Sequence, residues 1–200
     1  LLRLFPGLSE ISKEYVPNWD YFELPWEIFG VSDFGLISQI EKISDGGEPI
    51  IHPSAKISEC VKIEGACFIG ADVEIRHAAY IRKGSWICEG AMVGHSSEVK
   101  NSILLPGSKV PHFNYVGDSI LGIGVNLGAG AKLSNVRNDR RNILVSLGDG
   151  SKIDTRLVKL GALVGDGSQL GCNVVTNPGS IIAPGSMIPP NETITGWNEN

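Results

Sequence analysis

Apolar residues recur at an interval of six along this chain, at Ile51, Ile57, Ile63, Ile69, Ile75, Ile81, Ile87, Val93, Val99 and Leu105. Four residues after most of them stands a small side chain, as at Ala55, Cys67, Ala79, Ser85, Ala91 and Ser97. A helix repeats near 3.6 residues and a strand at two, so neither element alone produces this pattern. A period of six fits a parallel β-helix of hexapeptide repeats, in which three short sides close one coil. Residues 18 apart then lie above one another at roughly the 4.8 Å spacing of paired strands. The same phase returns at Val164, Leu170, Thr176, Ile182, Ile188 and Ile194. The expected fold is all-β, a β-helix over residues 49–200 behind a small, partly helical segment at 1–48.

Residues 1–48 do not follow the repeat, and their aromatic and aliphatic residues, Trp19, Phe22, Trp26, Phe29 and Leu36 among them, are expected to cover the open end of the solenoid. SDFGLISQIEKIS reads as a short amphipathic helix with Ser32 or Asp33 as its N-cap. The repeat is expected to slip at PHFNYVGDSILGIG, because the step from Leu105 to Leu121 falls two positions short of a full coil. A polar stretch at about 134–159 breaks the period again and is expected to protrude as a loop. In a rigid solenoid, such interruptions are where function resides.

The 25 glycines suit a chain that turns a tight corner every few residues, and the formal charge of −5 argues against a nucleic-acid binder. No apolar run is long enough for a transmembrane helix, and the start lacks a signal-peptide layout, so a cytoplasmic protein without membrane association is expected. The chain does not open on Met, and it is read as a stand-alone or truncated form. Cys60, Cys67, Cys88 and Cys172 show no metal-type spacing and are expected to be free thiols, with no metal bound.

The coil length singles out Arg82 and Lys100, which stack one coil apart just after interior positions. Such a pair is either a charge ladder neutralised by Glu64 below and Asp118 above, or a clamp for a phosphate. His112 falls in the expected slip, with Asn114, Tyr115, Asn126 and Asn135 following in sequence. An imidazole there is either a structural hydrogen-bonder or a general base, and Glu98, nearly one coil earlier, would orient it. The cations Arg137, Arg140, Arg141, Arg156 and Lys159 are either solvated surface or receivers of a cofactor's phosphates.

The stretch VGHSSEVKNSILLPGSKVPHFNYVGDSILGIGVNLGAGAKLSN resembles the acetyltransferase domain of the bifunctional bacterial enzymes that make UDP-N-acetylglucosamine. The likeness runs over about residues 50–135 and continues loosely through LGALVGDGSQLGCNVV and NPGSIIAPG. The resemblance implies a left-handed coil and transfer of acetyl from acetyl-CoA to the amine of an amino-sugar 1-phosphate, glucosamine 1-phosphate first. It places the general base on His112, its carboxylate on Glu98 and the asparagine near the reacting amine on Asn126. Sugar-phosphate ligands fall on Arg82, Lys100, Tyr115 and Asn135, and coenzyme A contacts on Arg141, Asp166 and Ala183. It further implies a homotrimer with active sites between subunits, and a nucleotidyltransferase as a separate partner. The chain departs from the pattern at Val136, where relatives carry tyrosine, and at Asp166, where they carry serine, and it lacks the nucleotidyltransferase signature. ELPWEIF resembles the linker to that domain. Two other functions fit: a non-catalytic β-helix that trimerises or regulates a nucleotidyltransferase, and an acyltransferase for another acyl donor or an amino-galactose.

Overall fold

The computed structural model describes residues 3–13 and 15–199; residues 1, 2, 14 and 200 lie outside it. Residues from Ile50 onward wind as a parallel β-helix with three faces. The first face has eight strands, from Ile50–Ile51 to Trp197–Asn198. The second runs from Lys56–Ile57 to Met187–Ile188, and the third from Lys62–Glu64 to Thr193–Ile194, with seven strands each. The period-six residues fill the interior, from Ile69, Ile75 and Ile81 up to Ile182 and Ile188. Their alternation with outward residues is what a strand pair requires when one side is core.

The coil length is not uniform. Ile51 pairs with Ile69, a step of 18, but Ile87 pairs with Leu104 and Leu104 with Leu121, steps of 17. Leu104, not Leu105, therefore occupies the interior, and Leu105 is buried on the outside of the first face. The slip expected at PHFNYVGDSILGIG is present in its second half only: Val110 and Val116 keep the step of six, and one position is lost after Val116. The two missing positions both come from the corner between third and first faces, once at 100–103, ahead of that segment, and once at 117–120, within it. Asn101 (φ 44°) and Asp118 (φ 48°) make those shortened corners in the left-handed region, which Asn and Asp tolerate better than most residues. Ser85, Ser102 and Ser119 line this corner, and Ser85 and Ser102 donate to main-chain carbonyls of their own coil and the next.

The same corner in the next coil carries the long insertion. Between Leu133 and Val164 the chain makes an excursion far longer than the single hexad that would join the two faces. The insertion is an antiparallel hairpin, Leu144–Ser146 against Lys152–Asp154, with a bridge between Val136 and Lys159. It folds back on the solenoid, since Ile143, Val145 and Leu160 are fully buried against the first face.

The N-terminal segment also lies on the first face and not over the open end. Phe5, Trp19, Trp26, Ile28, Leu36 and Ile40 pack on the outward residues Trp86, Cys88, Ile103, Leu105 and Ile120. The open end stays bare, with Ile51 and Ile57 exposed at 41% and 38%. The reason is visible in composition: runs such as Ile103–Leu105 and Ala162–Val164 are apolar on both sides of the strand, the mark of a sheet buried on both faces. The helix Leu36–Ile43 starts after Gly35, not at Ser32 or Asp33. Ser32 contributes its carbonyl instead, accepting from the Gly35 N–H and the Ser38 hydroxyl. Among the described residues no helix is long and apolar enough to cross a membrane. Cys67 and Cys88 are buried and Cys60 and Cys172 exposed, all as free thiols.

Candidate functional site

Strand alternation sends Val99 and Val116 inward and so presents their neighbours outward on the third face. Arg82, Glu98, Lys100 and Tyr115 all stand there, on the strands Tyr80–Arg82, Glu98–Lys100 and Tyr115–Gly117. Asn135 joins them from the start of the insertion.

Arg82 and Lys100 stack as their spacing predicts, since Ile81 registers on Val99. Each has its own carboxylate. Arg82 donates from Nη1 to Glu98 Oε1 at 2.9 Å, and Lys100 Nζ donates to Asp118 at 3.1 Å. Glu64, the expected lower partner, is instead hydrogen-bonded to the Tyr80 hydroxyl and held below the usual carboxylate range by that bond. Asp118 is buried and accepts additionally from Asn101 Nδ2 at 2.7 Å and from Asn135 Nδ2. A buried carboxylate needs such donors to offset its lost hydration. Sequence reading saw Asp118 only as a counter-charge; its place at a left-handed corner makes it the hub joining Lys100, Asn101 and Asn135.

Tyr115 lies between Glu98 below and Lys132 above. Its hydroxyl meets the Asn135 amide over Gly117, where a Cβ would collide with both. Burial, then the negative charges of Asp118 and Glu98, push the phenol above its ordinary value. It stays protonated, a donor and acceptor in one.

His112 stands exposed at the corner between second and third faces, in register with His95. The turn after it is locked by buried Asn114, whose Oδ1 accepts the His112 N–H at 2.9 Å and whose Nδ2 donates to Gly128 O at 2.6 Å. Glu98, the residue expected to orient His112, has Arg82 as its hydrogen-bond partner in this structure. With a coil of 17, the residue opposite Glu98 is Tyr115, and the carboxylate turns to Arg82. Below His112 stands a ladder instead: the His95 ring stacks on His77 at 5.6 Å, and His95 Nδ1 lies 3.1 Å from the His77 carbonyl.

Other candidates stand apart. Asn126 is on the second face, opposite Lys109 and Gln169. Asp166 and Ala183 occupy the corner between first and second faces in successive coils, the far edge of the second face from His112. Both Asp166 oxygens are engaged, Oδ2 by the Gly7 N–H at 2.9 Å and Oδ1 by the Ile123 N–H at 2.8 Å. Instead of standing open to a ligand, Asp166 ties down the N-terminal segment. Arg141 is exposed on the insertion, its N–H donating to Asp139. No cluster of His, Cys, Asp and Glu among the described residues could hold a metal ion.

The family model described as the GMPPB C-terminal domain matches residues 46–128. The chain is 33% identical over 199 residues to a bifunctional sugar-1-phosphate nucleotidylyltransferase/acetyltransferase of Sulfurisphaera tokodaii, covering 90% of this chain and 47% of that one. It is 34% identical over 193 residues to the bifunctional protein GlmU of Methanococcus maripaludis, covering 90% of this chain and 46% of the relative. The chain thus spans about half the length of these relatives. Among solved structures, the acetyltransferase domain of PglB from Neisseria gonorrhoeae aligns with 74% of this chain and 55% of its own, at 16% identity and a TM-score of 0.43.

Proposed function

For a chain that is a sequence relative of the bifunctional sugar-1-phosphate nucleotidylyltransferase/acetyltransferases, we propose a cytoplasmic N-acetyltransferase that moves acetyl from acetyl-CoA to an amino-sugar 1-phosphate, glucosamine 1-phosphate first. One observation carries this reading: Arg82, Lys100, Tyr115 and Asn135 share the third face, and His112 stands at its edge.

The two cations keep donors beyond those spent on their carboxylates, since a guanidinium has five N–H groups and an ammonium three. A phosphate laid across Arg82 and Lys100 is held by charge-assisted bonds, with the sugar over Tyr115 and Asn135. His112 takes a proton from the substrate's ammonium group. The freed amine attacks the thioester carbon and the C–N bond forms as the C–S bond breaks; of the two protons the nitrogen loses, one passes through His112 to the departing thiolate and the other goes to solvent. Acetyl-CoA supplies the acetyl group. A backbone N–H of a neighbouring coil stabilises the developing oxyanion. His112 and the Asp166–Ala183 corner flank the second face from opposite edges, so a site using both takes them from two copies, as in a homotrimer.

A non-catalytic scaffold or regulator of a nucleotidyltransferase is the second reading. Two observations favour it: Glu98 pairs with Arg82 instead of His112, and Asp166 is engaged by the N-terminal segment. Coenzyme A release from acetyl-CoA with glucosamine 1-phosphate separates the two. The enzyme reading expects turnover that His112→Ala lowers by 100-fold or more; a folded wild type inert toward every hexosamine 1-phosphate would refute it.

A further inference from the structure

The outward column that holds Arg82, Lys100 and Gly117 continues up the third face. Val116 registers on Leu133, Leu133 on Thr176 and Thr176 on Ile194, so Ser134, Asn177 and Thr195 follow one another above Gly117. There the insertion stands off the face and encloses an open cavity of about 680 Å³. That lies within the range of roughly 300–1,000 Å³ typical of small-molecule clefts.

The walls differ in chemistry. Hydroxyl and amide groups of Ser134, Asn177 and Thr195 come from the solenoid, where Asn177 Nδ2 donates to Thr195 Oγ1 at 2.7 Å and keeps its carbonyl oxygen free for a ligand. Leu144 and Pro178 supply apolar surface, and Asn138 a second amide. Arg137 and Lys152 bring positive charge from the insertion. Arg137 spends Nε and one terminal nitrogen on Asp139, leaving its other terminal nitrogen open. Lys152 has no ion pair among the described residues. Two cations against one carboxylate leave this cavity net positive in a chain of net charge −5.

We propose that this cavity binds a nucleoside diphosphate group, its phosphates on Lys152 and Arg137 and its base against Leu144 and Pro178. Asn138 and Asn177 offer amides to the edge of the base. Two sources present this chemistry. Lys100 and Ser134 are two coils apart, roughly 10 Å, so a nucleotide-linked amino sugar can span clamp and cavity; this source rests on the acetyltransferase reading. A free nucleotide can occupy the cavity alone, and that assignment stands without it.

Calorimetric titration of the whole chain with UDP, GDP and ADP, each separately, tests the site. At least one is expected to bind saturably, once per chain. Lys152→Ala, at an exposed position, and Asn177→Ala are each expected to weaken it by tenfold or more. Saturable binding of none of the three, or both variants binding as tightly as wild type, overturns the proposal. Equal affinity for inorganic pyrophosphate also overturns it, because no base is then read. Displacement of the nucleotide by glucosamine 1-phosphate marks a ligand spanning both regions, and its absence marks a separate nucleotide; either supports the site. Nucleotide binding in a chain that never releases coenzyme A removes the acetyltransferase reading and leaves the cavity assigned.

Discussion

Asp118 and Lys100 form an ion pair that solvent barely reaches, with side-chain exposures of 3% and 21%. Removing one partner of such a pair leaves a charge in a poorly solvated place, typically a loss of about 3–5 kcal/mol. Asp118→Ala is expected to lower stability by about 3 kcal/mol in urea unfolding and to loosen Lys100 and Asn135 together. A loss below about 1 kcal/mol would contradict the hub. The cysteines divide in the same way. Burial pushes the Cys67 thiol up to about 12 and raises Cys88 as well. Since the thiolate is the reactive form, an aromatic disulfide reagent at neutral pH is expected to titrate Cys60 and Cys172 in the native chain and all four after unfolding. The Arg82–Lys100 stack was legible from spacing because one full-length coil does separate them. The partner of Glu98 was not, because spacing gives the register of a strand pair and not which neighbouring cation a carboxylate turns to, here Arg82.

At the scale of the element, the coil corner decides what the hexad cannot. Interior residues are interchangeable in kind but not in burial. Ile81→Ala, fully buried, is expected to cost about 2–5 kcal/mol, whereas Ile57→Ala at the exposed end should cost under about 1 kcal/mol; equal losses would mean the first coil is covered. The period of six was plain from Ile51 to Val99. The shift from Leu105 to Leu104 was hidden because both are leucine and both are buried, one inside and one outside. The shortened corners escape a periodicity search for the same reason, yet they set the third face: Asn101, Asp118 and Asn135 stand at that corner in three successive coils. Helix Leu36–Ile43 was legible from its apolar spacing, but its start was not, because the Ser32 carbonyl rather than a side chain organises the preceding turn.

At the scale of the molecule, the N-terminal segment and the insertion share one task, covering the doubly apolar first face. The aromatics of the N-terminal segment were readable as a cover, but not for which surface, and the insertion was readable only as a protruding loop, since an interior repeat says nothing of what lies outside it. Covering the first face leaves the second and third free, with His112 on the edge between them. A chain begun at residue 46 loses the burial of Trp86 and Ile103 and is expected to aggregate or bind hydrophobic dyes; a soluble, monodisperse fragment with native melting would contradict this.

The central claim is that the third face selects a phosphorylated amino sugar through Arg82 and Lys100. The most direct measurement is kcat/KM for glucosamine 1-phosphate against free glucosamine, in wild type and in Lys100→Met. The account predicts a preference of 100-fold or more for the phosphorylated sugar, with the Lys100→Met loss falling mainly on KM. Equal use of the two sugars by the wild type would contradict it.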